Sequence, residues 1–383
     1  MTDASLHRRS LLFLGLAVAG ASFAMAIQMG LNTNFLVEEI GVNAEQQGRL
    51  EACRETCGIT AFLVLAALAG FAEPLVGAAM LVLLALGLAA YSLVHEFTWV
   101  IVLSLVWSQG LHVWMPLPNS MTLALAEPGR AGHRLGQIAA AGSAGFGLGL
   151  AASFILSLVG VGMRPMYIVA GGAAVCGAAA CLGIYRKVKT PGPRLVFKRK
   201  YGLYYLLSFL EGWRKQIFLC FAPFLLVKVY ETDLRHMLVL WGIIQVIGYF
   251  ASPRVGRLID RVGERRVLLT YYASLIAVFI GYAFIPNKYV LYGLFVADSV
   301  LFMAAMALTT YVNRIAPKTE HTQTLSMGIA MNHVGAVSMP FVGGLLWTYF
   351  GQQWTFMIGA LAVILSLLVT LRVPRHTAGA VVV

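Results

Sequence analysis

Twelve apolar runs, each about long enough to cross a bilayer, succeed one another along the 383-residue chain and govern what it can fold into. They lie near 11–36, 47–71, 74–94, 98–124, 135–160, 165–185, 201–228, 236–253, 267–286, 289–312, 322–349 and 354–372, bounded by turn and charge signals. A spanning helix needs about 20 apolar residues, so twelve spans consume nearly the whole chain and leave no room for a sizeable soluble domain. Hydrophobic residues make up 59% and charged residues 11%, against about 45–50% and about 25% in soluble domains. An ordinary cytosolic enzyme is excluded, and the chain reads as an all-α polytopic membrane protein.

The net charge of +12 would point a soluble protein toward nucleic acid; in a membrane protein its placement decides. With a cytoplasmic N-terminus, the inside segments hold twenty Lys and Arg residues and the outside turns five, Arg49, Arg164, Lys228, Arg235 and Lys288. This bias puts both termini in the cytoplasm and makes anionic lipid headgroups, not nucleic acid, the partner of the excess charge. The first run follows Arg8 and Arg9 but continues to Phe35, with no small-residue cleavage site and polar mature domain behind it. It is read as a span, not a secretory signal. Cys53, Cys57, Cys176, Cys181 and Cys220 all fall inside apolar runs, which argues against a disulfide framework.

The clearest boundary is RKVKTPGPRLVFKRK, Arg186–Lys200, with seven basic residues, two prolines and a glycine. It separates an N-terminal half, 1–185, from a C-terminal half, 201–383, with six runs in each. Transporters built from two similar halves show this arrangement, with the site at the midplane between them.

Two motifs carry a family resemblance. SPRVGRLIDRVGERR, Ser252–Arg266, resembles the signature loop of the major facilitator superfamily, with Gly256, Asp260, Arg261, Gly263, Arg265 and Arg266 matching and Glu264 in place of a usual basic residue. It lies between the eighth and ninth runs, where the second-half copy of that loop belongs. The first-half copy, Ala69–Gly77, keeps only an acid, Glu73, with no basic partner. GAVSMPFVGG, Gly335–Gly344, is similar to a glycine-proline pattern of the eleventh span, where small residues let helices approach closely. The resemblance implies twelve transmembrane helices in two pseudo-symmetric six-helix halves, a gating role for the loop, and secondary active transport by alternating access. Gly256 and Gly263 would then permit a close approach and a turn.

Substrate and coupling must come from polar residues inside the apolar runs, because a buried ionisable group costs about 2.5–3.5 kcal/mol on insertion scales and usually marks a pathway. In the second run Glu51, Arg54 and Glu55 are spaced i, i+3, i+4 and share a helix face; Glu211, Arg214 and Lys215 repeat the spacing in the seventh. The excess cation of the seventh run wants an anionic partner, either Asp298 of the tenth run or the substrate itself. Substrate-binding candidates are therefore Arg214, Lys215 and Arg54, with Gln28, Asn32, Gln109, His112, Gln245 and Asn332 at similar depth. Proton-coupling candidates are Glu211, Asp298, His333, Glu51 and Glu55. Aromatic residues say least: Trp99, Trp241, Trp347 and Trp354 lie toward run ends, as an interfacial belt would, and Trp107, Trp114 and Trp213 lie deeper.

No nucleotide-binding motif is present, so an ion gradient, protons first, is the expected driving force. The mixed charges favour a small anionic or zwitterionic organic solute. The chain is expected to need no cofactor, to work as a monomer in a bacterial-type inner membrane, and not to be an enzyme. Two alternatives stay open. Soft thiolate and imidazole ligands suit transition metals, and ferroportin-like members of the superfamily place a Cys on span 7 and a His on span 11, here Cys220 and His333. The decayed first-half loop would also suit a scaffold or sensor that keeps the fold without transporting.

Overall fold

The structure, a computed structural model, describes residues 3–127, 130–185, 197–317 and 320–375. Residues 186–196 of the expected basic linker, and Lys318, lie outside the described residues.

Each apolar run is helical. The first half holds α1 (Asp3–Asn34), prolonged by a wider π-type turn at Phe35–Glu39, then α2 (Ala44–Ala67), α3 (Glu73–Ala90), α4 (Phe97–Trp114), α5 (Leu117–Leu125), α6 (Ala131–Leu158) and α7 (Met163–Cys181). The second half holds α8 (Gly202–Lys228), α9 (Leu234–Val262), α10 (Glu264–Phe284), α11 (Lys288–Phe302), α12 (Met306–Ile315), α13 (His321–Phe350) and α14 (Gln352–Thr370). The fourth run is split between α4 and α5 at Pro116, which has no N–H to give to the helix ladder. The tenth run is split between α11 and α12 by a tight turn at Met303–Ala305.

Among the described residues, ten helical stretches are long and apolar enough to cross a membrane. The two long helices outside that set are α2 and α8. They carry the charged clusters, Glu51, Arg54 and Glu55 on one and Glu211, Arg214 and Lys215 on the other, and those charges lower their hydropathy. Helix geometry and hydropathy therefore part company at the two helices with the most chemistry.

The signature segment differs from expectation. Ser252–Val262 is not a loop but the last three turns of α9, and the turn into α10 is Gly263 alone. Gly263 has φ 83° and ψ 154°, a region open essentially only to glycine. Gly256 makes no close approach, because a Cβ added there would meet nothing within 4 Å. Asp260, Arg261 and Arg266 are exposed. Glu264, the departure from the family pattern, is buried, 3.1 Å from the Arg314 guanidinium of α12.

The contacts divide the chain into two compact units. The first comprises Met1–Gly41, Cys57–Pro193 and Leu234–Gly242; the second, Val42–Thr56, Arg194–Asp233 and Ile243–Val383. Thus α2 contributes its first turns to the second unit and its remainder to the first, and α9 is divided in the opposite sense.

In the first unit α1 packs on α6 and α7, and α3 on α4 and α7. Small residues allow backbone contact: a Cβ on Gly145 of α6 would collide with the Ala19 carbonyl of α1. In the second unit α8 is the central helix, buried for most of its length against α13 and α14. Gly212 of α8 lies directly on the Asn332 backbone of α13.

Candidate functional site

The main polar cluster of the second unit is centred on α8. The side chain of Arg214 has no exposed surface. Its Nη1 donates to Asp298 Oδ1 on α11 at 2.9 Å, and its Nη2 donates to Glu211 Oε1 and to the Tyr271 hydroxyl, both at 2.6 Å. The Tyr271 hydroxyl in turn donates to Glu211 Oε1 at 2.8 Å, and Tyr272 reaches Glu211 Oε2 at 3.3 Å. The guanidinium also stands over the Phe302 ring, 5.0 Å from its centroid. Spacing explains the construction: Glu211 and Arg214 are i, i+3 on α8, so the carboxylate and the cation meet on one face. Among the described residues, Asp298 Oδ2 and Arg214 Nε have no hydrogen-bond partner.

Of the two partners left open for the excess cation, the structure supplies Asp298. Tyr271 and Tyr272 were not among the sequence candidates, although a buried tyrosine hydroxyl usually has a partner and a tandem pair in an apolar run is a usable signal.

A second cluster joins the first turns of α2 to α8 and α13. Arg54 pairs with Glu51, while Glu55 faces His333 instead, with Oε2 3.0 Å from Nδ1. The Lys215 ammonium donates to Asn332 Oδ1 at 2.9 Å, and the Asn332 amide donates to the Ser208 carbonyl at 3.1 Å. The shared face of Glu51, Arg54 and Glu55 is therefore divided between an internal ion pair and a link to α13. Among the described residues Gln216, fully buried on α8, has no partner for either end of its amide, and Gln47 of α2 has none for its side-chain oxygen; neither was a sequence candidate. Gln245 is half-buried on α9.

In the first unit the candidates stand separately. Gln28 is buried, and its amide nitrogen has no hydrogen-bond partner among the described residues; Asn32 is half-buried. Gln109 accepts from the Thr60 hydroxyl at 2.7 Å. His112 Nδ1 lies 2.8 Å from the Ser108 carbonyl. None of the four lines the cavity of about 280 Å³ in this unit, whose walls include Ser22, Met25, Trp114, Asn119 and Phe146. Glu73, the remnant of the first-half motif, is buried and accepts from the Ser120 hydroxyl at 2.6 Å.

All five cysteines are free thiols. Cys220 is buried with its thiol 3.9 Å from the Gln47 carbonyl, and among the described residues it joins no group of three His, Cys, Asp or Glu side chains able to hold a metal ion. Trp213 donates to Ser338 at 2.9 Å and packs against Phe209.

Helices of spanning length and apolar composition mark the chain as a multi-pass membrane protein. The sequence profile of the Major Facilitator Superfamily matches residues 12–312, and the chain belongs to that superfamily. Comparison with curated proteins gives no match. Among solved structures, the nucleoside transporter NupG superposes with a TM-score of 0.76 at 14% identity, covering 96% of this chain and 99% of its own. A bacterial homologue of the human lysosomal transporter Spinster, inward-facing and unoccupied, gives 0.71 at 12% identity over 98% and 99%. At these identities the likeness is one of fold.

Proposed function

We propose that the protein is a proton-coupled secondary active transporter of a small anionic or zwitterionic organic solute, working by alternating access. The observation that carries this reading is the charge balance at Arg214. One fully buried guanidinium stands between two carboxylates, Glu211 and Asp298. Uncompensated charge at low dielectric costs several kcal/mol, and the trio is balanced when its two carboxyls hold one proton between them. Gain and loss of that proton changes the number of anions on Arg214 between one and two, which is the kind of event that links a solute cycle to a proton gradient. Arg214 itself has no surface to offer a solute in this state. Lys215 supplies the accessible cation, with Arg54, Asn332 and Gln245 in the same unit and Gln28, Asn32, Gln109 and His112 in the other as further candidates.

Twelve spans in halves 1–185 and 201–383, joined by 186–200, with both termini in the cytoplasm of a bacterial-type inner membrane, are supported by the twenty-to-five distribution of Lys and Arg. Gly263 and the charges of Asp260, Arg261, Arg265 and Arg266 belong to the gating segment in this scheme. The test is reconstitution into vesicles holding a pH-sensitive dye, with a panel of labelled solutes. Solute entry should follow an imposed proton gradient, and Asp298→Asn should keep solute exchange while losing proton movement. Entry indifferent to the gradient in the unmodified protein would sink proton coupling.

A further inference from the structure

The cluster beside α8 is electrically neutral: Arg54 and Lys215 against Glu51 and Glu55. Arg54 and Glu51 are already paired. Lys215 and Glu55 lie within each other's field, yet each spends its charge on a weaker partner. Lys215 donates to the uncharged carboxamide of Asn332 and has no carboxylate within 4 Å among the described residues. Glu55 is answered by an imidazole, His333, rather than by a guanidinium or an ammonium. The side chains of Glu55 and His333 keep 9% and 14% of their surface exposed, and Lys215 is half-buried. Asn332 is anchored from behind on the Ser208 carbonyl, so its oxygen is held toward Lys215.

Two full and opposite charges are thus set on adjoining helices of one unit, each able to accept a better partner. A monoanion would answer Lys215 and leave the cluster at minus one; a cation would answer Glu55 and leave it at plus one. An uncharged polar solute would make only neutral hydrogen bonds, roughly half as strong as charge-assisted ones. A molecule with one carboxylate and one ammonium answers both groups and keeps the cluster neutral. We infer that the solute is zwitterionic, with its carboxylate on Lys215 Nζ beside Asn332 and its ammonium on Glu55 in place of His333.

This inference rests on the transport reading, and the experiment separates the two. The full-length protein in proteoliposomes is assayed by counterflow with labelled ω-amino acids of two to six carbons, competed with straight-chain carboxylates and primary amines of the same lengths. An ω-amino acid should exchange, and neither single-charge analogue should compete. Lys215→Gln and Glu55→Gln should each weaken half-saturation by about 10- to 100-fold, as loss of one charge-assisted hydrogen bond does, with melting curves confirming that both variants are folded. Competition in the unmodified protein decides the matter even where a variant unfolds. Exchange of a carboxylate alone, unaffected by Glu55→Gln, would overturn the zwitterion and leave transport standing. Absence of exchange for all three classes would also overturn the zwitterion; the transport reading falls with it only if no solute of the wider panel moves protons into the dye-loaded vesicles.

Discussion

Arg214→Met tests the ionic core most directly. The substitution keeps a long side chain but removes the three hydrogen bonds at 2.6–2.9 Å that the guanidinium gives to Glu211, Tyr271 and Asp298. Two carboxylates are then left buried with no cation between them. Breaking a buried pair in this way costs about 3–5 kcal/mol, which at roughly 2 °C per kcal/mol for a long chain lowers the melting temperature by about 6–10 °C. The seven tryptophans report the transition in detergent without a label. The triple variant Arg214→Met, Glu211→Gln, Asp298→Asn removes the ions together, so no unpaired charge is left buried, which is the costly part of breaking such a group. It should recover at least half of the lost melting temperature while losing proton coupling. A single variant melting within about 2 °C of the parent, or a triple variant melting below the single, would show that Arg214 does not balance Glu211 and Asp298.

Other substitutions probe other parts of the structure. Glu320 accepts from Lys198 at 2.8 Å, Lys200 at 3.0 Å and the Tyr201 hydroxyl at 2.6 Å, and these bonds hold its pKa near 2, down from the usual 4.5. A depressed carboxylate stabilises the fold above its unfolded pKa. The melting difference between the parent and Glu320→Gln should therefore be full at pH 7 and close as pH falls from about 4.5 toward 2. Gly212→Ala pushes a methyl group into the Asn332 backbone and should cost about 1–3 kcal/mol, read as a loss of melting temperature. Arg164→Ala releases Glu39 and the carbonyls of Ser92 and Val94, held at 2.6, 3.1 and 2.6 Å. About 1 kcal/mol is expected, with faster hydrogen exchange confined to 35–40 and 91–95.

The helices were legible because each apolar run is long and sharply bounded, and the charged clusters stood out as costly residues in such runs. Spacing along one helix correctly brought Glu211 to Arg214, and it could not have found Tyr271 and Tyr272, which reach Glu211 from α10 across more than 55 positions. The same limit separated Glu55 from Glu51: the face they share is visible in the sequence, whereas His333 on α13 is a tertiary neighbour. Ser252–Val262 was read as a loop from its family pattern and its charges. Helix propensity there is lowered only by Pro253 and Gly256, and the first residue that must leave the helix is Gly263. Gln216 escaped notice because an uncharged amide in an apolar run resembles ordinary packing until its burial and lack of partners are seen.

A corner made of one residue has no slack. Because Gly263 alone separates α9 from α10, a codon gained or lost there cannot be taken up by a loop. Each added residue turns the following helix by about 100°, enough to swing Tyr271 and Tyr272 off Glu211 without altering a single side chain of the ionic core. The segment is therefore a length standard as much as a charge pattern, and the spacing between its glycine and the two tyrosines is as much a part of the site as the residues themselves.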